Sequence, residues 1–167
     1  KSYAPRLKII LMVCVLIIIF LQINQRLKSE KIGLGIETGA KNAADFFIMQ
    51  NVKGPIFNNF DIGSYLEYRL YPKEKVVIDG RPEAYPKDFF QEIYIPMQED
   101  KTVFEKIDNN YKFNAIFFAH ADQTPWAQLF IKQIFQNKDW TPVYLDDYAV
   151  IFVKNSERNM NIIKNFG

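Results

Sequence analysis

Three short polar clusters carry most of the side chains able to do chemistry, and each follows a short apolar run. Asn58, Asn59 and Asp61 form the first, Asp79, Gly80, Arg81 and Glu83 the second, and His120, Asp122 and Gln123 the third. His120 is the sole histidine, and a carboxylate within hydrogen-bond reach, from Asp122 or Asp79, would make it a general base. Asp79, Glu83 and Asp122 offer hard oxygen ligands for a divalent cation, in a spacing that matches no known metal loop. Arg81 presents a planar fork suited to carboxylate, to another anion or to a sugar. Each cluster also has a purely structural use. Asp61 stands before an amphipathic run and can cap a helix. Asp79 and Arg81 flank Gly80 at a strand end and can pair with each other or tie adjacent loops together. His120 suits a surface loop, and Asp146 with Asp147 suits a hairpin turn. The chain has no glycine-rich phosphate cradle, GxGxxG, GxSxG, HExxH or paired-cysteine site. No cofactor or metal is therefore assigned, and catalysis by this chain alone has little support.

Positioning these clusters is the task of an alternating series of helices and strands. AADFFIMQN places Ala43, Phe46 and Phe47 at helical spacing, and Gly54 releases the chain into a first strand, PIFN. A helix with Ile62, Tyr65, Leu66 and Leu70 on one face follows Asp61 and stops at Pro72. VVID, Val76 to Asp79, reads as the second strand, and NAIFFAH as the third after helical segments in PKDFFQEIYI and DKTVFEKIDNN. Pro125 begins a helix that puts Trp126, Leu129, Phe130 and Ile134 on one face. WTPVYLDDYAVIFVK reads as a hairpin, and a short helix closes the chain. This order predicts an α/β domain of three layers, with a mostly parallel sheet and an antiparallel hairpin at one edge. Ligands of such sheets bind outside the carboxyl ends of the strands, where all three clusters fall.

Upstream lies Ile9 to Ile23, IILMVCVLIIIFLQI, which carries no charge. With Leu7 and neighbours it predicts one transmembrane helix over about 7–24, inside an anchor of residues 1–31 with basic flanks. The following NQRLKSEK has no small-residue cleavage site, which argues against a signal peptide. Residues 32–42, rich in glycine, suit a linker, and 43–167 make the soluble α/β domain. Lys1, Arg6, Lys8, Arg26, Lys28 and Lys31 against Glu30 give the anchor +5, and the whole-chain +2 leaves the rest at −3. That acidic balance, without Lys/Arg clusters, sets nucleic acid aside as a partner, and the apolar run makes the lipid bilayer the expected one. Basic residues flank the apolar run on both sides, so charge leaves its orientation open. The 15 Phe and 9 Tyr predict an aromatic core, and the lone Cys14 lies in the anchor. Beginning at Lys1 rather than Met, the chain reads as part of a longer protein.

The stretch AADFFIMQNVKGPIFNNFDIGSYLEYRLYPKEKVVIDGRPEAYP resembles the segment after the last spanning helix in large bacterial membrane proteins related to the C-type glycosyltransferases and the dolichyl-phosphate-mannose protein mannosyltransferases. The resemblance covers Ala43 to Lys154, with VVIDGR its most specific part and WTPVYLDDYAVIFVK similar to the family's closing hairpin. Where the family often has an aromatic and two glycines before the Tyr-Leu pair, this chain has Asp61, Ile62, Gly63 and Ser64. The resemblance implies a C-terminal accessory domain at the cell membrane, facing the periplasm or the outside. It implies partnership with an upstream transmembrane domain that transfers a polyprenyl-phosphate-linked sugar, and with that sugar or its acceptor. Catalytic acids would lie in loops near the first spanning helices, so no catalytic residue is carried over. Asn58, Gly63, Tyr65, Asp79, Gly80 and Arg81 are carried over as the pattern; Asp61 and His120 join them as candidate substrate-binding residues. Two alternatives stand beside this reading: a single-span anchored binding or assembly module without catalysis, and a small enzyme using His120, Asp79 and Asp122.

Overall fold

A helix of 25 residues, α1 (Ala4–Lys28), stands in a unit of its own, Lys1–Ile36, and the remainder, Glu37–Gly167, forms a second unit. The computed structural model of the chain describes residues 4–28 and 38–167, with side chains over 8–24 and from 40 onward. Taken by itself, α1 exposes every large apolar side chain from Ile9 to Ile23, and consecutive residues put these on all sides of a helix. Among the described residues no helix is long and apolar enough to cross a membrane. The spanning segment expected over 7–24 thus finds no support among the described residues. Residues 32–37 of the expected linker lie outside the described residues; its end, from Thr38, is already helical.

The second unit is built on a four-stranded sheet of order β1-β2-β4-β3, with β1 at Ile56–Asn58, β2 at Ala115–Ala119, β3 at Trp140–Leu145 and β4 at Ala149–Lys154. Side chains alternate between the faces of a strand, and here both faces are covered. On one face Ile56, Ala115, Phe117, Ala149, Ile151 and Val153 pack with α2 (Thr38–Met49), α3 (Phe60–Leu70) and α7 (Met160–Phe166). On the other, Phe57, Ile116, Phe118, Val150 and Phe152 pack with α4 (Pro96–Glu99), α5 (Lys101–Tyr111) and α6 (Pro125–Phe135). This is the expected three-layer α/β arrangement. Phe57 is the centre of the second core, with the rings of Tyr94, Phe104, Phe113, Phe118 and Phe130 at centroid distances of 5.0–6.4 Å.

The sheet is mixed rather than mostly parallel. Only β1 with β2 is parallel; β4 runs antiparallel to both β2 and β3. The hairpin does not simply sit at the edge, because β4, apolar from Ala149 to Val153, is buried between β2 and β3. β3 takes the edge, where Pro142 can stand without a backbone donor and the register slips between Pro142 and Tyr144. The hairpin turns as expected: Asp146 Oδ1 accepts from the backbone N–H of Tyr148 and of Ala149.

Val76 to Asp79 is not a ladder strand. It touches the sheet through a single parallel bridge, Ile56 to Val76. The reason lies in Asn58. Its Oδ1 accepts from Val77 N at 3.0 Å and Ile78 N at 3.4 Å, and its Nδ2 donates to the Ile78 carbonyl at 2.7 Å, so one side chain satisfies the groups that a strand would have used.

Helix ends also differ from expectation. Asp61 lies in the first turn of α3, and the cap position belongs to Asn59, whose side chain makes no capping bond. The N–H of Phe60 donates instead to Tyr94 Oη at 2.9 Å. On α6 the buried residues are Ala127, Phe130 and Ile134, while Leu129 is exposed and Trp126 half-buried.

Candidate functional site

The loops that follow β1, the 76–79 segment and β2 meet, and two adjacent asparagines hold them. Asn58 grips residues 77 and 78 as described. Asn59, also fully buried, accepts from Ala119 N through Oδ1 at 2.9 Å and donates through Nδ2 to the Ala119 carbonyl at 3.2 Å and to Asp122 Oδ2 at 3.0 Å. Asp122 passes the constraint on, because its Oδ1 accepts from Thr124 N at 2.9 Å, just before α6. Both amides thus replace backbone pairing at the carboxyl end of the parallel pair, where the sheet opens.

A cleft of about 320 Å³ lies beside this junction, lined by Phe60, Asp61, Pro82, Phe90, Tyr94, Ile95, Asp122, Thr124 and Trp126. Its walls are aromatic and two carboxylates, Asp61 and Asp122, line it; no Lys or Arg does. Partial burial, and then the charge of Asp122, push the Asp61 carboxyl above its ordinary range. Asp61 makes no hydrogen bond or ion pair with any described residue. Burial raises the Tyr94 hydroxyl well above its usual value, and its oxygen accepts from Phe60 N. Thr124 Oγ1 is buried and has no hydrogen-bond partner. Aromatic walls with carboxylate acceptors beside them suit a small polar ligand with apolar faces or positive charge. A phosphate would meet only negative charge there.

The other sequence candidates are distributed differently. Asp79 and Arg81 pair with each other: Arg81 Nε donates to Asp79 Oδ2 at 3.0 Å, Nη2 joins the same oxygen, and Arg81 N donates to Oδ1 at 3.0 Å. The side-chain bond from Arg81 is the largest effect holding the Asp79 carboxyl below its ordinary range. Asp79 N donates to Tyr85 Oη at 2.8 Å, which closes the loop over Pro82. The buried Asp79 carboxylate and the exposed guanidinium therefore form a loop clip. Gly63 is a contact point between α3 and this segment, since a Cβ there would lie 2.0 Å from the Ile78 carbonyl oxygen. Gly80 N donates to Ser64 Oγ at 2.8 Å. Tyr65 packs on the opposite core and accepts from Arg69 Nη1 at 3.0 Å.

His120 follows β2 directly and ties its end to the β3–β4 turn. Its Nε2 lies 2.7 Å from the Asp146 carbonyl, which can only accept, so the ring proton sits on Nε2. A constellation of His120, Asp79 and Asp122 does not form, because each is bound to a different local partner. Among the described residues no group of three or more His, Cys, Asp and Glu is placed to hold a metal ion, so Asp79, Glu83 and Asp122 make no such site.

Phe60, Phe90, Tyr94, Thr124 and Trp126 are cleft residues that a reading of polar clusters overlooks. For Phe90 and Tyr94 the signal is the aromatic excess in PKDFFQEIYI, where a π-helical turn, Phe90–Tyr94, gathers Phe90 with Phe60 and Tyr94. No family model, curated protein or solved structure matches the chain.

Proposed function

We propose that this chain is a membrane-attached accessory segment of an integral-membrane glycosyltransferase-like protein that uses a polyprenyl-phosphate-linked sugar. In this reading α1 holds the chain to the bilayer, the α/β unit works on the non-cytoplasmic side, and the transfer chemistry belongs to other segments of the protein. The observation that carries it is the cleft beside Asn59, with aromatic walls at Phe60, Phe90, Tyr94 and Trp126 and hydroxyl acceptors at Asp61 and Asp122. Aromatic faces stack on the apolar faces of a pyranose, while carboxylates take its hydroxyl protons. The acidic lining favours the sugar or acceptor over the phosphate of the carrier. The all-round apolar surface of α1 supports attachment, since water is a poor solvent for such a helix. The resemblance of residues 43–154 to the segment that follows the spanning helices of lipid-linked sugar transferases gives the reading its substrate class.

Saturation-transfer NMR on the full chain in lipid nanodiscs tests it. The expected result is transfer from the protein to monosaccharide ring protons, lost in Trp126→Ala. Absence of transfer from every hexose and aminohexose tried would overturn the sugar reading. A binding or assembly module without catalysis fits the same cleft, because His120, Asp79 and Asp122 are each engaged in separate structural bonds. Sequencing the rest of the reading frame separates the two: further apolar spans with acidic loop residues favour the transferase.

A further inference from the structure

We infer that the cleft between α3 and α6 takes the ammonium group of a small organic cation, so that the sugar or acceptor bound there is one that carries an amine. This rests on the proposed binding role of the cleft and narrows its ligand class. Four aromatic residues, Phe60, Phe90, Tyr94 and Trp126, line a space into which Asp61 and Asp122 bring two carboxylates, and no Lys or Arg lining it offsets them. A cation over ring faces is attracted by their negative quadrupole, and an ammonium beside a carboxylate gains a charge-assisted hydrogen bond. A neutral hexose needs the faces but not the surplus negative charge.

The two carboxylates are not equivalent. Asp122 is committed to Asn59 and to Thr124 N, while Asp61 has no partner among the described residues. Asp61 is held above its ordinary titration range by partial burial and by the neighbouring charge of Asp122, a strain that a bound cation relieves. Thr124 also lines the cleft, although its hydroxyl oxygen is itself buried. The lining thus offers two carboxylates within an aromatic frame, which is the complement of a protonated amine.

The test is 1H–15N NMR of the two indole N–H groups in the full chain in detergent micelles, with the Trp126 signal assigned by Trp126→Phe. Glucosamine, choline and glucose are the probes. The expected result is a saturable shift of the Trp126 signal by glucosamine, at an affinity at least tenfold above that for glucose, reduced about tenfold in Asp61→Asn. A parallel response to choline would assign the recognition to the cationic group itself, and a response to glucosamine alone to an amine held on a sugar ring; both support the inference. Equal binding of glucosamine and glucose would overturn the inference and leave the sugar reading standing. Choline or glucosamine binding that is unchanged in Asp61→Asn would overturn it as well. If no probe moves Trp126, both the inference and the binding role of the cleft fall. Asp61→Asn is chosen because Asp61 holds no other residue in place, whereas a change at Asp122 would also release Asn59 and Thr124.

Discussion

Asn59 Nδ2 donates to Asp122 Oδ2 at 3.0 Å, both residues being buried, and this bond joins the start of α3 to the loop that leads into α6. Both helices contribute to the cleft lining, Phe60 and Asp61 from α3 and Trp126 from α6. Asn59→Ala removes this bond and both bonds to Ala119, and leaves buried groups unpaired. A loss of about 2–4 kcal/mol is expected by urea unfolding. Asn59→Asp keeps the shape but places a second carboxylate against Asp122; its loss should shrink as pH falls below about 4.

Gly63 and Gly80 should respond differently to the same added methyl. At Gly63 the new Cβ meets backbone, 2.0 Å from the Ile78 carbonyl oxygen and 2.8 Å from Asp79 Cα. Neither can move without breaking the grip of Asn58, so Gly63→Ala should cost about 3 kcal/mol or more. At Gly80 the nearest atom is Ser64 Oγ at 2.7 Å, the end of a side chain. Gly80→Ala should cost about 1 kcal/mol or less, and Ser64→Ala in the same chain should remove most of that penalty. Chemical denaturation of the three variants reads both results.

Asp79 and Asp61 predict opposite pH dependences. The Asp79 carboxyl titrates below its ordinary value of 3.8 when folded, so its contribution is present above that value and lost as pH falls through the folded one. Asp79→Asn should therefore flatten the acid limb of a stability–pH curve between about pH 5 and 2. Asp61 is shifted upward, so its ionisation costs stability as pH rises from 3.8 through its folded value. Asp61→Asn should leave stability at pH 7 unchanged or slightly higher, by about 0.5 kcal/mol at most for so exposed a group.

Phe57 is fully buried with five aromatic neighbours, so truncation there should exceed any loop variant in cost. Phe57→Ala should lose about 3–5 kcal/mol and Phe57→Leu about 1–2 kcal/mol, measured by equilibrium unfolding. His120→Gln offers the contrast. It tests the bond to the Asp146 carbonyl and should cost about 1 kcal/mol without altering any ligand response at Trp126.

Much of the architecture is legible along the chain. Apolar spacing places α2, α3 and α6, Pro72 and Pro125 mark helix boundaries, and Asp146 marks the hairpin turn, because these signals act within a few residues of where they are written. The convergence of the loops carrying Asn58, Asp79 and Asp122 also follows from strand order. Strand pairing is not local. VVID has the apolar, β-branched character of a strand, yet Asn58 at 19–20 residues' distance satisfies its backbone and takes it out of the ladder. β4 stands beside β2 where the element order predicts a further parallel strand, and its continuous apolar run from Ala149 to Val153 suits burial there. The roles of polar residues depend still more on tertiary structure. Asp61 is written like a cap and becomes an unpartnered carboxylate; Asp79 and Arg81 are written like a site and close on each other. The aromatics of the cleft look like core residues until packing leaves one side of them open. Composition and periodicity determined that an aromatic α/β unit would follow an uncharged apolar helix. Which carboxylates stayed unpaired was decided only by folding, since a side chain's partner depends on distances that sequence separation does not measure.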